Sequence, residues 1–369
     1  MNQPELDVAR LTVRLDAVVS NYRLCGRLAG PAAVAGVVKA DGYGLGADPI
    51  SRALAAAGCD TFFVARLEEG IRLRPAVPSA RIFVLDGATP DSVPALISHR
   101  LTPVLNSLAE IAAWNAASRE TGGSLDAAIH FDTGMSRLGL PGEELAALSA
   151  DAKKRLSDLR LVLLMSHLAC ADDAEAKMNR VQLDRFKTAL AMLPAAPASL
   201  ASSGGVLLGK DFAFDLVRPG IGLYGGNVQN ATQNPFATAV TLQAKVLQLR
   251  RIGRGESVGY GASFRAERPS VIATLGIGYA DGLSRSVGNR ALVSIAGRSA
   301  PVVGRVSMDL LTVDVTDIPP ERLSAPVMAE IFGDKISLSQ AAADAGTVPY
   351  EILTSLNPRI PRQYETAAS

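Results

Sequence analysis

Between residues 15 and 226, short apolar runs alternate with longer amphipathic segments. Several runs carry Val, Ile and Leu on successive positions, which is typical of strands buried on both faces of a parallel sheet. We predict eight strands, at residues 33–39, 61–66, 81–86, 101–105, 125–132, 159–168, 198–202 and 215–224. The segments 49–58, 107–121 and 173–192 have helical spacing and supply crossover helices. Eight strand–helix units favour a (β/α)8 barrel of the TIM type over a doubly wound open sheet, which would alternate in the same way.

From about residue 227 the pattern changes to short β-branched or alternating runs separated by Gly and Pro. These runs lie at 240–249, 271–275, 291–296, 301–303 and 310–315 and predict a mostly antiparallel β domain. Residues 338–345 and 349–356 predict two short helices. Residues 11–15 alternate, so the start of the chain is expected to give this domain a strand. We assign residues 12–226 to a cofactor-binding barrel domain, and 227–369 with an N-terminal strand at 1–11 to the β domain.

Composition narrows the class of protein. A chain of 369 residues with 48% hydrophobic and 20% charged residues is long enough for two domains and far from disordered. Lys and Arg total 37 against 36 for Asp and Glu, which argues against a nucleic-acid partner. Three scattered cysteines give neither a disulfide framework nor a metal spacing. The sequence shows no secretory signal and no membrane span, so we expect a cytoplasmic protein.

The candidate chemistry lies where the predicted barrel strands end. Lys39 ends the first strand and precedes a glycine-rich loop, where a desolvated amine can form a Schiff base. The sixth strand ends at His167, the seventh leads to Ser203, and the eighth reaches Arg218 and Gly220. Each feature alone has an ordinary explanation, such as a solvated lysine, a core histidine or a simple turn. Together, a lysine, a phosphate cradle, an arginine and an imidazole indicate a pyridoxal phosphate site.

Seven motifs in the same order make the chain resemble the alanine racemases, over nearly its whole length. The motifs occupy residues 37–44 (VVKADGYG), 132–139 (DTGMSRLG), 165–167 (MSH), 217–221 (VRPGI), 258–261 (VGYG), 277–282 (IGYADG) and 304–309 (GRVSMD). The resemblance implies an isomerase that interconverts L- and D-alanine, either supplying D-alanine for peptidoglycan or degrading it. A racemase of broader specificity, acting on serine or other amino acids, is the alternative.

The resemblance also implies roles for residues in the barrel. Lys39 would hold pyridoxal 5'-phosphate as a Schiff base, and His167 would pack against its ring. Arg218 would contact the pyridine nitrogen, and Arg137 would contact the phenolic oxygen of the cofactor and the substrate carboxylate. The phosphate would be bound by Tyr43, Ser203, Gly220, Ile221 and Tyr350.

Racemisation requires a proton to leave one face of the substrate and return to the other, which two bases achieve most simply. By resemblance, Lys39 serves one face and Tyr260 of the partner subunit serves the other, in a homodimer with shared active sites. Met308 of the partner subunit would bind the substrate carboxylate. Tyr279 of the partner subunit would narrow the entrance, with Asp309 of the partner subunit beside it.

One position departs from the family pattern. Many alanine racemases carry, two residues before the aspartate of the DTG motif, a lysine that becomes carbamylated and orients the arginine. Here that position is His130, which cannot supply the same fixed anion. We predict no lysine carbamate at this position, with a bound anion or water orienting Arg137.

Three other readings of the same architecture are weaker. Pyridoxal-phosphate decarboxylases of this architecture resemble one another in using a cysteine of the C-terminal domain, whereas the last cysteine here is Cys170, in the barrel. The single-barrel pyridoxal-phosphate carrier proteins lack a β domain. An enzyme of sugar or phosphate chemistry on the same barrel would use no Schiff base, and cofactor absorbance would exclude it.

Overall fold

The computed structural model describes residues 7–229, 233–324 and 326–366. The described chain folds into two compact units. The barrel unit comprises residues 18–223 with 228–229 and 233–236, and the β unit comprises 7–17, 224–227 and the described residues from 237 onward. Residues 1–6 of the predicted N-terminal strand lie outside the described residues. The chain's first described elements are strand β1 (Ala9–Arg14) and helix α1 (Leu15–Ala29).

Parallel strands close into a ring in the barrel unit. They are β2 (Ala33–Val34), β3 (Gly36–Val37), β4 (Thr61–Val64), β5 (Arg81–Val84), β6 (Thr102–Leu105), β7 (Leu125–His130), β8 (Leu159–Met165), β9 (Ala198–Ser199) and β10 (Leu216–Val217). Strands β3 to β9 form a seven-stranded sheet in chain order, and β10 pairs with β2. Only Ala35 separates β2 from β3, and a Ser202–Arg218 bridge follows β9 and β10. The predicted eight-stranded barrel is therefore confirmed.

Helices follow these strands as the amphipathic pattern predicts. They are α3 (Ala47–Ala56), α4 (Leu67–Leu73), α5 (Val93–Ser98), α6 (Leu108–Thr121), α7 (Gly142–Ala150), α8 (Ala152–Arg155), α9 (Lys177–Ala191) and α10 (Ser203–Leu207), with short 3₁₀ turns at Lys210–Phe212 and Ile221–Tyr224. The segment α2 (Lys39–Gly44), directly before them, is a left-handed turn. The bounds of helix α6 could be predicted because residues typical of helix ends stand at both of them. The Ser107 hydroxyl accepts the Glu110 N–H at its start, and Gly122 ends it in the left-handed conformation.

The β unit is built around one long strand. Its elements are β11 (Val240–Ile252), β12 (Ser257–Val258), β13 (Phe264–Arg265), β14 (Ser270–Leu275), β15 (Leu292–Ile295), β16 (Arg298–Pro301), β17 (Leu311–Asp314), β18 (Met328–Phe332), β19 (Arg362–Glu365), α11 (Leu338–Ala345) and α12 (Pro349–Thr354), with 3₁₀ turns at Tyr260–Ala262, Tyr279–Asp281, Arg285–Val287 and Pro320–Leu323. Strand β11 pairs antiparallel with β1, β14 and β18. Strand β1 also pairs with β19, in parallel. The mostly antiparallel domain is thus confirmed.

One strand, predicted at residues 301–303, begins earlier in the structure, at Arg298. The observed strand β16 ends at Pro301 and begins directly after a two-residue turn, Ala296-Gly297, whose φ angles are 50° and 77°. Positive φ at both central residues is the conformation of a tight hairpin turn. Because Ile295 therefore pairs with Arg298, the strand starts earlier than its apolar residues suggest. None of the helices in the described part of the chain is long and apolar enough to span a membrane.

Candidate active site

The carboxyl ends of the barrel strands carry the predicted barrel side chains. Lys39 begins the turn after β3, His130 ends β7, and Arg218 follows β10 directly. Because parallel strands of a closed barrel all end at one mouth, these side chains share it. Burial lowers the pKa of the Lys39 amine, and the positive charge of Arg137 lowers it further. A lysine with a lowered pKa has more of the neutral amine that Schiff-base formation requires.

The backbone after Lys39 is wound in an unusual direction. Ala40, Asp41, Gly42 and Tyr43 have φ between 52° and 63° and ψ between 36° and 52°, which is a left-handed helical turn. Left-handed geometry costs an L-residue about 1–2 kcal/mol, and such residues rarely occur in succession. Strain of this kind persists where surrounding contacts hold it, commonly at functional sites. The turn delivers the Tyr43 side chain to the loop after β10.

That loop forms a compact polar cradle. The Ser203 hydroxyl accepts hydrogen bonds from the N–H groups of Gly220, at 2.9 Å, and Gly222, at 3.1 Å. The Tyr43 hydroxyl lies so close to Gly220 that a Cβ at this position would overlap it. Gly220 is therefore required by close approach. Ile221 lies buried between the two glycines. The structure thus brings together four of the five residues predicted to bind phosphate.

Arg218 is a buried cation without an acidic partner among the described residues, and only 4% of it is exposed. Its guanidinium donates to the Ser199 hydroxyl and, at 2.7 Å, to the Ser166 carbonyl. One guanidinium nitrogen lies 3.4 Å from His167 Nδ1. Burial lowers the pKa of Arg218 to about 10, so it remains charged at neutral pH. Burial and this nearby charge hold the pKa of His167 well below its usual value, so its ring is neutral.

His130 is held in one tautomer by Asn106. The Asn106 amide nitrogen donates to the carbonyls of Val104, at 2.8 Å, and Leu85, at 3.1 Å. Its oxygen therefore faces His130 and accepts a hydrogen bond of 2.8 Å from Nδ1–H. Burial and the charge of Arg218 lower the pKa of His130 to about 4. A neutral imidazole with a bare Nε2 thus stands where the family pattern has a lysine.

Asp132 shapes the loop that carries Arg137. One of its oxygens accepts the N–H groups of Gly134 and Met135, both at 2.8 Å, and both oxygens lie 3.1 Å from the N–H of Ser136. Although burial opposes it, these hydrogen bonds lower the pKa of Asp132. Asp132 was not among the residues predicted for the site. An aspartate followed by a glycine two residues later is a recognisable turn signal.

In the β unit, two of the predicted segments lie side by side. The Tyr279 N–H donates to the Ser307 carbonyl at 3.0 Å, and the Ala280 N–H donates to the Met308 carbonyl at 2.9 Å. Arg359 joins them further, because it donates to Asp281 at 2.6 Å and to Asp309 at 2.8 Å. The described structure therefore brings Tyr279, Met308 and Asp309 together.

Tyr260 stands on an exposed turn of the same unit, with 70% of its surface open to solvent. Gly259 and Gly261 flank it with φ of 73° and 72°. A Cβ on Gly261 would lie 3.1 Å from the Arg305 guanidinium, so a cation adjoins this turn. Tyr350 lies in α12 and is also exposed.

Two family models match the chain, and together they span most of it. The model described as "Alanine racemase, N-terminal domain" matches residues 13–228, and "Alanine racemase, C-terminal domain" matches residues 239–364. The chain belongs to the alanine racemase family. It is 49% identical over 367 residues to the alanine racemase of Rhodospirillum rubrum, covering 99% of this chain and 98% of that protein. It is 45% identical over 377 residues to the alanine racemase of Rhizobium meliloti, covering 99% of each.

Solved structures of alanine racemases share the fold. The crystal structure of the Bartonella henselae alanine racemase superposes with a TM-score of 0.91 at 39% identity, covering 97% of this chain and 99% of that one. That protein is described with covalently bound pyridoxal phosphate. The barrel followed by a β domain in this chain is therefore the same architecture as that of the solved alanine racemase.

Proposed function

We propose that this member of the alanine racemase family is a pyridoxal-phosphate-dependent isomerase that interconverts L- and D-alanine. The observation that carries the proposal is the set of groups at the barrel mouth. Lys39 has a lowered pKa, Ser203 and Gly220 form a cradle closed by Tyr43, and Arg218 is a buried cation. The lysine amine suits the aldehyde of pyridoxal phosphate, the cradle suits its phosphate, and the arginine suits its ring nitrogen. The residues present therefore fit the cofactor.

Each residue has a distinct task toward the cofactor. The chemistry that pyridoxal phosphate supplies when bound is withdrawal of electrons from the substrate Cα. Lys39 attaches it, and the cradle residues Tyr43, Ser203, Gly220 and Ile221, together with Tyr350, hold its phosphate. His167, being neutral, packs on the ring without adding charge. Arg218 does not readily release a proton, so it leaves the ring nitrogen unprotonated and keeps electron withdrawal modest.

Two groups on opposite sides of the substrate exchange the proton. Lys39 Nζ takes or returns it on one face, and the hydroxyl of Tyr260 of the partner subunit does so on the other. Tyrosine is a weak base unless cations stabilise its phenolate, and the Arg305 side chain beside Gly261 supplies a cation to that turn. Arg137, oriented by a bound anion or water in place of a lysine carbamate, contacts the substrate carboxylate.

The assignment extends to assembly and location. In a homodimer, the barrel domain binds the cofactor, and the β domain completes the partner's site. Met308 of the partner subunit binds the substrate carboxylate, while Tyr279 of the partner subunit and Asp309 of the partner subunit border the entrance. The protein acts in the cytoplasm, where it supplies D-alanine for peptidoglycan or begins its breakdown.

The test combines labelling with an optical assay. Borohydride reduction of the cofactor-loaded protein, followed by peptide mapping, is expected to place the label on Lys39. Circular dichroism should show L-alanine losing its optical activity, with no change when the Lys39→Ala variant is used. L-serine and L-lysine in the same assay measure specificity. A label elsewhere, or a protein that leaves L-alanine unchanged, contradicts the proposal.

A further inference from the structure

A single carboxylate joins the loop after Lys39 to the next strand–helix unit. Glu69 lies in the first turn of α4, and its Oε1 accepts the Ala40 N–H at 2.7 Å. Its Oε2 accepts the N–H groups of Ala65, at 2.7 Å, and Arg66, at 3.2 Å. Three backbone N–H groups in two successive loops of the barrel mouth therefore converge on Glu69.

The hydrogen bond to Ala40 fixes the peptide that leaves Lys39. The Ala40 N–H belongs to the peptide unit that contains the Lys39 carbonyl, so holding it sets the backbone direction from which the Lys39 side chain departs. This peptide is also the entry to the left-handed turn at residues 40–43. Within the turn itself, the Asp41 carboxylate accepts the Ala47 N–H at 2.8 Å. Glu69 reaches it from 29 residues away.

Glu69 also acts on Lys39 through charge. Its carboxylate raises the pKa of the Lys39 amine, against the lowering by burial and by Arg137. Asp86 acts in the same direction, and Arg218 acts with Arg137. Removing the carboxylate would therefore change both the direction and the proton affinity of this side chain.

The barrel repeats this device elsewhere, which provides a control. Glu144 is in the first turn of α7, and its Oε2 accepts the N–H of Leu108, the first residue of α6, at 2.8 Å. Glu144 thus links two strand–helix units as Glu69 does, but the N–H that it accepts belongs to no residue of the candidate active site. An effect that follows from weakening the barrel mouth in general should appear on changing either glutamate.

We propose that Glu69 is a positioning residue of the racemase reaction, whose carboxylate fixes the Lys39–Ala40 peptide and thereby aims the lysine that attaches the cofactor. The assignment rests on the proposed function. Glu69 holds this peptide both before and after the cofactor binds, because its hydrogen bonds are made by the chain alone.

The experiment compares Glu69→Gln with the matched control Glu144→Gln. Glutamine keeps the length of the side chain, but its amide nitrogen cannot accept an N–H. Amide hydrogen exchange in a peptide spanning residues 37–46 of the cofactor-free protein, which contains the Ala40 amide, should accelerate about tenfold or more in E69Q, the loss expected when a charged acceptor is removed. In the loaded protein, the pH titration of the cofactor's visible absorbance should shift, and kcat for alanine should fall about tenfold while KM changes little.

E144Q should match the wild type in all three measurements. If E69Q matches E144Q while the wild type racemises alanine, the positioning role is wrong and the proposed function stands. A wild type without activity or visible absorbance instead refutes the proposed function. Should E69Q fail to fold, Glu69→Asp keeps the charge but is one methylene short of reaching both loops. The same exchange and titration measurements on E69D then decide, and wild-type behaviour overturns the proposal.

Discussion

Lowering the pH is expected to reduce the unfolding free energy of the barrel unit, mainly through His130. Its pKa is lowered to about 4, first by burial and then by the charge of Arg218, whereas an unfolded histidine titrates near ~6.5. Between these two pH values the unfolded chain binds a proton at this side chain that the folded chain does not. The free energy of unfolding must therefore fall as the pH falls through this window.

The size of the effect follows from the two pKa values. Each unit of separation corresponds to about 1.4 kcal/mol. At pH 5 the unfolded imidazole is almost fully protonated and the folded one almost fully neutral, whereas at pH 7 both are mostly neutral. His130 alone should therefore remove about 2 kcal/mol of unfolding free energy between pH 7 and pH 5.

The chain provides its own probe for this measurement. Trp114 is the only tryptophan, lies in α6 of the barrel unit with 1% exposure, and donates to the Asp126 carbonyl at 3.0 Å. Urea unfolding followed by its fluorescence, at one protein concentration, gives the unfolding free energy at both pH values. The reference is His130→Gln, which keeps a donor for Asn106 Oδ1 but does not titrate.

The comparison is a difference of differences. His167 titrates in both proteins, so its contribution cancels, and the wild type should lose about 2 kcal/mol more than H130Q between pH 7 and pH 5. Equal losses in the two proteins would refute the assignment of His130 as a buried neutral imidazole.

Three further changes test other parts of the molecule. Gly220→Ala should reduce cofactor affinity about tenfold or more in a fluorescence titration, because its Cβ would overlap the Tyr43 hydroxyl, and Tyr43→Phe in the same chain should restore part of it. Arg74→Met should lower the unfolding free energy by about 3 kcal/mol or more in urea, because the buried guanidinium donates to five backbone carbonyls; a smaller loss would contradict this. Arg359→Gln should raise KM for alanine more than it lowers kcat, because it breaks the link from Asp281 to Asp309 between the two segments proposed to border the entrance. Steady-state kinetics with unchanged KM would contradict this.

The barrel could be predicted from sequence because its strands are buried on both faces. Runs such as residues 61–66 and 81–86 are apolar at successive positions, and the observed strands Thr61–Val64 and Arg81–Val84 lie inside them. Boundaries in the β unit were less accurate. The start of the strand Arg298–Pro301 is fixed by the turn conformation of Ala296 and Gly297. A pattern of apolar residues does not indicate such a turn.

The candidate site divides in a similar way. Residues such as Lys39 and Arg218 were predicted because a charged side chain at the end of an apolar strand is visible in the sequence. Glu69 and Asn106 were missed because they act on groups that are distant in the chain. Their partners, Ala40 and His130, lie 29 and 24 residues away and become neighbours only when the barrel closes.

The central claim is that one site combines Lys39 of one subunit with Tyr260 of the partner subunit. Co-expression of a Lys39→Ala chain and a Tyr260→Phe chain under different affinity tags allows the mixed dimer to be isolated by two successive purifications. In that dimer one site retains both groups and the other has lost both, so alanine racemisation should proceed at about half the wild-type rate per dimer. If the mixed dimer is no more active than the two single-variant homodimers, the two groups do not meet across subunits and the account is wrong.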